Sequence, residues 1–201
     1  MNIIRNLVVI LCVILFGAGA ALAQPLTVVN VQAPNVNFVF NPSGTVTVQD
    51  LSSPIWSGGF LQSRNFKGAA GAPAAGLYVY EYRVDLRNVV GITFIRQIFS
   101  MKVNIGPTVK LDFNGDKKLD DVFVVTKGGL GNIPLKSAVR SGNDITFTFN
   151  PSVGEGSAPG KGDSSFFFGL VSKYPRTTVK VSPANNAGGV LLLDAWAPKH
   201  P

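Results

Sequence analysis

Leu77-Tyr78-Val79-Tyr80-Glu81-Tyr82-Arg83-Val84-Asp85-Leu86 is the run whose period decides the fold class. Side chains of an extended chain point alternately to opposite faces. Tyr78, Tyr80, Tyr82, Val84 and Leu86 therefore share one face, and Glu81, Arg83 and Asp85 the other. Such a strand is expected to bury its aromatic face and leave its charged face in water. Ile145, Phe147 and Phe149 alternate in the same way with Thr146 and Thr148. So do Val46 and Val48 with Thr45, Thr47 and Gln49, and Val179 and Val181 about Lys180. Ile95, Phe99, Met101, Val103 and Ile105 trace a longer strand whose phase slips near Arg96, as at a β-bulge. Val122 to Thr126, Phe166 to Val171 and Val190 to Trp196 are more evenly apolar and read as central strands. No window of a dozen residues carries a 3.6-residue period. The expectation is an all-β chain, an antiparallel β-sandwich of roughly nine to eleven strands.

The N-terminus is of another kind. Arg5 precedes the apolar run Leu7 to Phe16, then small residues, then Ala21-Leu22-Ala23 before Gln24. That three-part pattern is a secretory signal peptide with cleavage after the A-x-A. The apolar run is diluted from Gly17 onward, short of the ~20 residues that span a bilayer. Residues 1–23 thus read as a signal peptide and residues 24–201 as one β-sandwich domain, secreted or periplasmic, with no membrane span once the leader is gone.

Composition removes several chemistries from the remaining chain. Its single cysteine, Cys12, lies in the leader, and its single histidine is His200. Thiol catalysis, Cys-ligated zinc and Ser-His-Asp triads therefore lack a central residue, and disulfides cannot staple the fold. Without Arg5, 17 basic residues stand against 11 acidic ones, a net +6. The basic residues are scattered, which suits a solvated surface and not a specific nucleic-acid interface. Gly156 to Gly162 lacks the spacing of a phosphate-binding loop, and both Asn-Pro-Ser triplets are barred from N-glycosylation by proline.

Residues 67–76 (K-G-A-A-G-A-P-A-A-G) and 154–164 (G-E-G-S-A-P-G-K-G-D-S) read as flexible loops between strands. Asn37-Phe38-Val39-Phe40-Asn41-Pro42-Ser43 echoes Thr146-Phe147-Thr148-Phe149-Asn150-Pro151-Ser152. Each copy reads as a strand ended by proline.

One segment carries metal chemistry. In Asp112-Phe113-Asn114-Gly115-Asp116-Lys117-Lys118-Leu119-Asp120-Asp121, oxygen side chains recur at loop positions 1, 3, 5 and 9. Calcium takes six to eight oxygen ligands, and a tight loop of alternating carboxylates can wrap it. The segment resembles the D-x-[DN]-G-D-x-x-x-D calcium loops of dockerin-like, VCBS and integrin-α FG-GAP repeats. The resemblance implies ligation of Ca2+ by the side chains of Asp112, Asn114, Asp116 and Asp120 and by the carbonyl of Lys118. Asp121 is expected to point away. Lys117 stands where such loops place glycine and would need a positive φ. Phe123 stands where an EF-hand has its bidentate glutamate, so the loop is not an EF-hand. The other reading of the same residues is a polar Asn-Gly turn whose aspartates cap backbone amides.

Three functions fit these observations. One is a non-enzymatic envelope or extracellular module, its ligand unspecified, stiffened by one calcium loop. A second is a carbohydrate-binding or adhesive module using Trp56 or the tyrosine stripe as an exposed platform for a glycan. The third is a glycan-active enzyme drawing two carboxylates from Glu81, Glu155, Asp85, Asp144, Asp163 and Asp194. The first explains most of the chain; Trp196 is expected in the core.

Overall fold

The computed structural model describes residues 22–42 and 44–201. The expected signal peptide therefore lies almost wholly outside the described residues. In chain order the elements are β1 (Gln24–Leu26), β2 (Val28–Gln32), α1 (Ala33–Phe40), β3 (Gln49–Ile55), β4 (Gly59–Lys67), β5 (Tyr78–Asp85) and β6 (Gln97–Asn104). They continue with β7 (Val122–Lys127), β8 (Leu135–Ser141), β9 (Asp144–Gly154), β10 (Phe168–Ser172), β11 (Arg176–Asn185) and β12 (Leu193–Pro198). The twelve strands form a β-sandwich of two six-stranded sheets, ordered β1-β8-β9-β6-β11-β12 and β2-β7-β10-β5-β4-β3. Every pairing is antiparallel except β2 with β7, which is parallel.

The main core lies between the sheets. Tyr80 and Tyr82 of β5 are fully buried there, with Tyr82 ringed by Phe147 and Phe168 at centroid distances of 6.1 and 5.8 Å. Both hydroxyls reach backbone acceptors at 2.8 Å, Tyr80 donating to the Tyr174 carbonyl and Tyr82 to that of Trp196. Tyr78, at the strand's start, is half-buried beside Lys67. The aromatic stripe is core, not a sugar platform.

The charged face of β5 corrects the expectation of a wet surface. Glu81, Arg83 and Asp85 are all buried, at 6%, 5% and 3% exposure. Asp85 is bridged by Arg83 and Arg87, Arg83 stacks on Phe60 and Phe167, and Glu81 lies under a second, smaller core on the outside of this sheet. There Val39 and Phe40 of α1 pack with Phe66, Val79, Phe113, Phe123 and Phe167.

Helix α1 occupies the stretch expected to be a strand. Pro34 sits in its first turn, where a missing N–H costs nothing. The orphan carbonyls of its last turn are met by the alanine-rich residues 67–76, whose Ala69 and Ala74 amides donate to Phe40 and Val39. That segment is therefore a packed cap and not a loose loop: Ala74 is fully buried, and a Cβ on Gly68 would lie 2.1 Å from the Ala74 carbonyl oxygen. The echo of α1 at residues 146–152 is strand, and Pro151 lies inside β9, which continues to Gly154. Near-identical local sequences are helix in one place and strand in the other, so tertiary context decides.

Three further expectations shift. Residues 45–48 pair with no strand, although Val46 packs on the outer core. The bulge of β6 falls between Ile98 and Ser100, turning Phe99 outward, and not at Arg96. β12 is an edge strand, but its outward amides are not bare. Asp194 N–H donates to Ser53 Oγ and Trp196 N–H to Ser63 Oγ, both at 3.0 Å and both on the opposite sheet. At the other rim the chain crosses between sheets at Thr27, whose N–H donates to Asp121 Oδ2 at 2.9 Å.

Candidate functional site

Loop 112–120 springs from a short neck in which Leu111 and Asp120 exchange backbone hydrogen bonds of 3.1 and 2.9 Å. Gly115 and Lys117 both take the left-handed conformation, with φ of 83° and 69°. The lysine thus adopts the strained backbone that the loop's spacing demands of it. Asp112 Oδ1 accepts from the Gly115 and Asp116 amides at 2.6 and 3.1 Å, and its Oδ2 from Lys117 at 2.8 Å. Asn114 Oδ1 accepts from Asp116 at 3.0 Å and Asp116 Oδ1 from Lys118 at 2.8 Å. These amides hold the Asp112 carboxyl below its ordinary range, outweighing the opposing effect of desolvation. So far this is the capped polar turn.

Asp120 breaks that pattern. Its side chain is buried, and Oδ2 has no hydrogen-bond partner. Burial first, then the charges of Asp116, Asp112 and Asp121, raise its pKa, with Lys110 opposing. A buried acceptor facing other carboxylates is an arrangement that a cation relieves. As they stand, no three His, Cys, Asp or Glu side chains among the described residues are grouped to hold a metal. Ligation therefore requires Asp112 and Asp116 to turn from their amides or share their second lone pairs. Asp121 points away as expected, towards Thr27 and Lys110, whose Nζ lies 3.0 Å from Oδ2.

The other carboxylates proposed for catalysis are mostly spoken for. Glu155 Oε2 accepts from the Arg96 amide at 3.0 Å, and its Oε1 meets the Arg96 guanidinium. Asp85 is bridged by Arg83 and Arg87 at 3.1 and 2.6 Å. Asp144 lies beside Lys102 and accepts from Asn104, Asp163 accepts from Asn132, and Asp194 pairs with Lys180. Neither tryptophan is a free platform: each is half-buried under an arginine, Arg96 at 4.7 Å from Trp56 and Arg176 at 4.3 Å from Trp196. Trp56 also stands at φ 50°, an uncommon backbone for a bulky residue.

Glu81 is the exception. Across the outer face of the second sheet it lies in register between Arg64 on β4 and Gly169 on β10. Arg64 does not turn to it. The guanidinium bonds Asp50 Oδ1 at 2.9 Å and stacks 4.2 Å from the Phe167 centroid. Gly169 offers no side chain, and the Phe123 ring fills the place its Cβ would take, 2.6 Å away. Glu81 is left with no hydrogen bond or ion pair among the described residues. Burial pushes its pKa up to about 7, against the attraction of Arg64 and with a smaller push from Asp50. A glutamate on a strand of alternating period gave no sign of this, because the covering helix is forty residues away in sequence.

The sign of its pH effect is fixed. The folded pKa lies above the unfolded value of 4.5, so stability is fully present below pH 4.5 and is lost as pH rises through about 7. The loss expected is roughly 2–3 kcal/mol. Urea midpoints of Glu81→Gln measured from pH 5 to 8 should lack this decline. A decline identical to that of the unsubstituted protein would show that Glu81 is not its source.

A cavity of about 390 Å³ lies between α1 and the 111–115 end of the loop. Asn35 Nδ2 donates to the Asn114 carbonyl across it at 3.4 Å. Comparison with known protein families, curated proteins and solved structures returns no match to this chain.

Proposed function

We propose that this protein is an exported, non-enzymatic β-sandwich module of the envelope or extracellular space, with one calcium ion bound by loop 112–120. Asp120 carries the reading: a buried carboxylate oxygen without a partner, electrostatically opposed by Asp112 and Asp116. A calcium ion supplies the missing positive charge, and Asp112, Asn114, Asp116, the Lys118 carbonyl and Asp120 supply hard oxygen ligands. No helix among the described residues is long and apolar enough to cross a membrane. The arginines over both tryptophans and the burial of Tyr80 and Tyr82 favour this reading over a carbohydrate platform, and the pairing of every candidate carboxylate but Glu81 favours it over a two-carboxylate hydrolase.

With no bidentate twelfth ligand, the affinity expected is weak, on the order of 10⁻⁴–10⁻³ M. Calcium at about ten times its dissociation constant should then add about 1–2 kcal/mol of stability. Calorimetry and thermal melts in millimolar calcium test this, with Asp116→Ala abolishing the increment and leaving the calcium-free melt near that of the unsubstituted chain. Absence of both binding heat and thermal shift reduces the loop to a polar turn.

A further inference from the structure

Two cavities of about 190 and 210 Å³ open between α1 and the outer face of the second sheet. Val36, Asn37, Arg64 and Glu81 line both. The first adds Leu130 and Phe167 to its walls, and the second Val46 and Phe66. Drug-sized sites occupy about 300–1,000 Å³, so each chamber suits a fragment. Apart from Asn37, Asn41 and Arg64 the walls are apolar, and the one ionisable group among them without a protein partner is the Glu81 carboxyl, nine-tenths buried.

Charge selects the occupant. Asp50 and Arg64 neutralise each other, leaving Glu81 as one uncompensated negative charge. Arg83, two residues along the same face of β5, is paired with Asp85 at 3.1 Å, and neither α1 nor the neighbouring β10 carries a charged side chain. An acceptor-only carboxylate in apolar surroundings gains most from a charged donor that brings its own apolar body.

We propose that the chamber under α1 binds a small organic cation, its ammonium on the Glu81 carboxylate and its hydrocarbon body against Val36, Leu130 and Phe167. Asn37 is placed to accept or donate a second hydrogen bond at the rim. The inference is independent of the metal loop.

The probe is cyclohexylammonium, with cyclohexanol as its uncharged counterpart, titrated calorimetrically into the full mature chain without calcium. Cyclohexylammonium should bind tenfold or more tightly than cyclohexanol. Its affinity should rise at least tenfold from pH 5.5 to pH 8, as the carboxyl ionises. Below pH 7, binding should release a proton, visible as a heat that depends on the buffer. Glu81→Gln should cost tenfold or more in affinity and erase the pH dependence. In the unsubstituted protein the Glu81 carboxyl ¹³C resonance should move on addition of the amine, which keeps the test decisive if the variant does not fold. Equal affinity for the alcohol, unchanged binding by Glu81→Gln, or a stationary carboxyl resonance overturns the proposal.

Discussion

Tyr82→Ala should lower the stability of the fold by about 3–5 kcal/mol, the range for truncating a large buried aromatic. The ring is fully buried between the sheets and touches Phe147 and Phe168. Alanine would leave a cavity that rigid neighbouring strands collapse into only partly. It would also orphan the Trp196 carbonyl, which accepts from the hydroxyl at 2.8 Å. Tyr82→Phe separates the two contributions, since it keeps the ring and costs only about 1–3 kcal/mol for the unsatisfied carbonyl. Urea denaturation reads both. A Tyr82→Ala loss below about 1 kcal/mol would mean that the sheets do not pack about this ring.

Asp85→Ala is expected to be comparably damaging, about 3–5 kcal/mol, by a different route. Asp85 compensates Arg83, whose side chain is 6% exposed and whose Nη1 lies 3.1 Å from Oδ2. Remove the carboxylate and a guanidinium stays buried with only Gln62 Oε1 to bond, at 3.2 Å. The double substitution Asp85→Ala, Arg83→Met should recover much of the loss, because it removes the stranded charge. Burial raises the Asp85 pKa, but hydrogen bonds from Arg87 and the charges of Arg83 and Arg87 more than reverse this, and the net direction is down. Its contribution is therefore present above the ordinary carboxylate range and is lost as pH falls through the depressed folded value. Failure of the double variant to improve on Asp85→Ala would show that the stranded arginine is not the cause.

The alternation in residues 77–86 made β5 and its aromatic core legible, because a period of two depends on one strand alone. What covered the opposite face was not legible. Residues 38–43 carry the same Phe-x-Phe-Asn-Pro-Ser pattern as residues 147–152 of β9, and packing of Phe40 against Phe66, Phe113 and Phe123 accompanies the helix that ends there. Alternation alone, blind to that helix, places Glu81, Arg83 and Asp85 in water. β1 and β2, of three and five residues, are too short to display a period, and β3, β4 and β8 are not legible as strands because they place Ser53, Ser63, Asn65 and Ala138 at buried positions, where no apolar alternation marks them. The turn of loop 112–120 was legible down to the positive φ of Lys117, since spacing and backbone conformation are local properties. The burial of Asp120 was not, because it depends on the neck closing against Leu111.

Ser53 and Ser63 have a consequence for crowding. A sheet edge with free amides is a template on which a second chain can lengthen the ladder. Here the two hydroxyls occupy the β12 amides from the side, and the adjoining β3 carries Pro54 and the charge of Asp50. The opposite rim offers only the short β1 and β2. At the high local concentrations of a crowded compartment, these two serine side chains stand where a second chain would have to bond the β12 edge. Ser53→Ala with Ser63→Ala would unblock it, and thioflavin fluorescence of concentrated solutions should then rise where the unsubstituted protein stays dark.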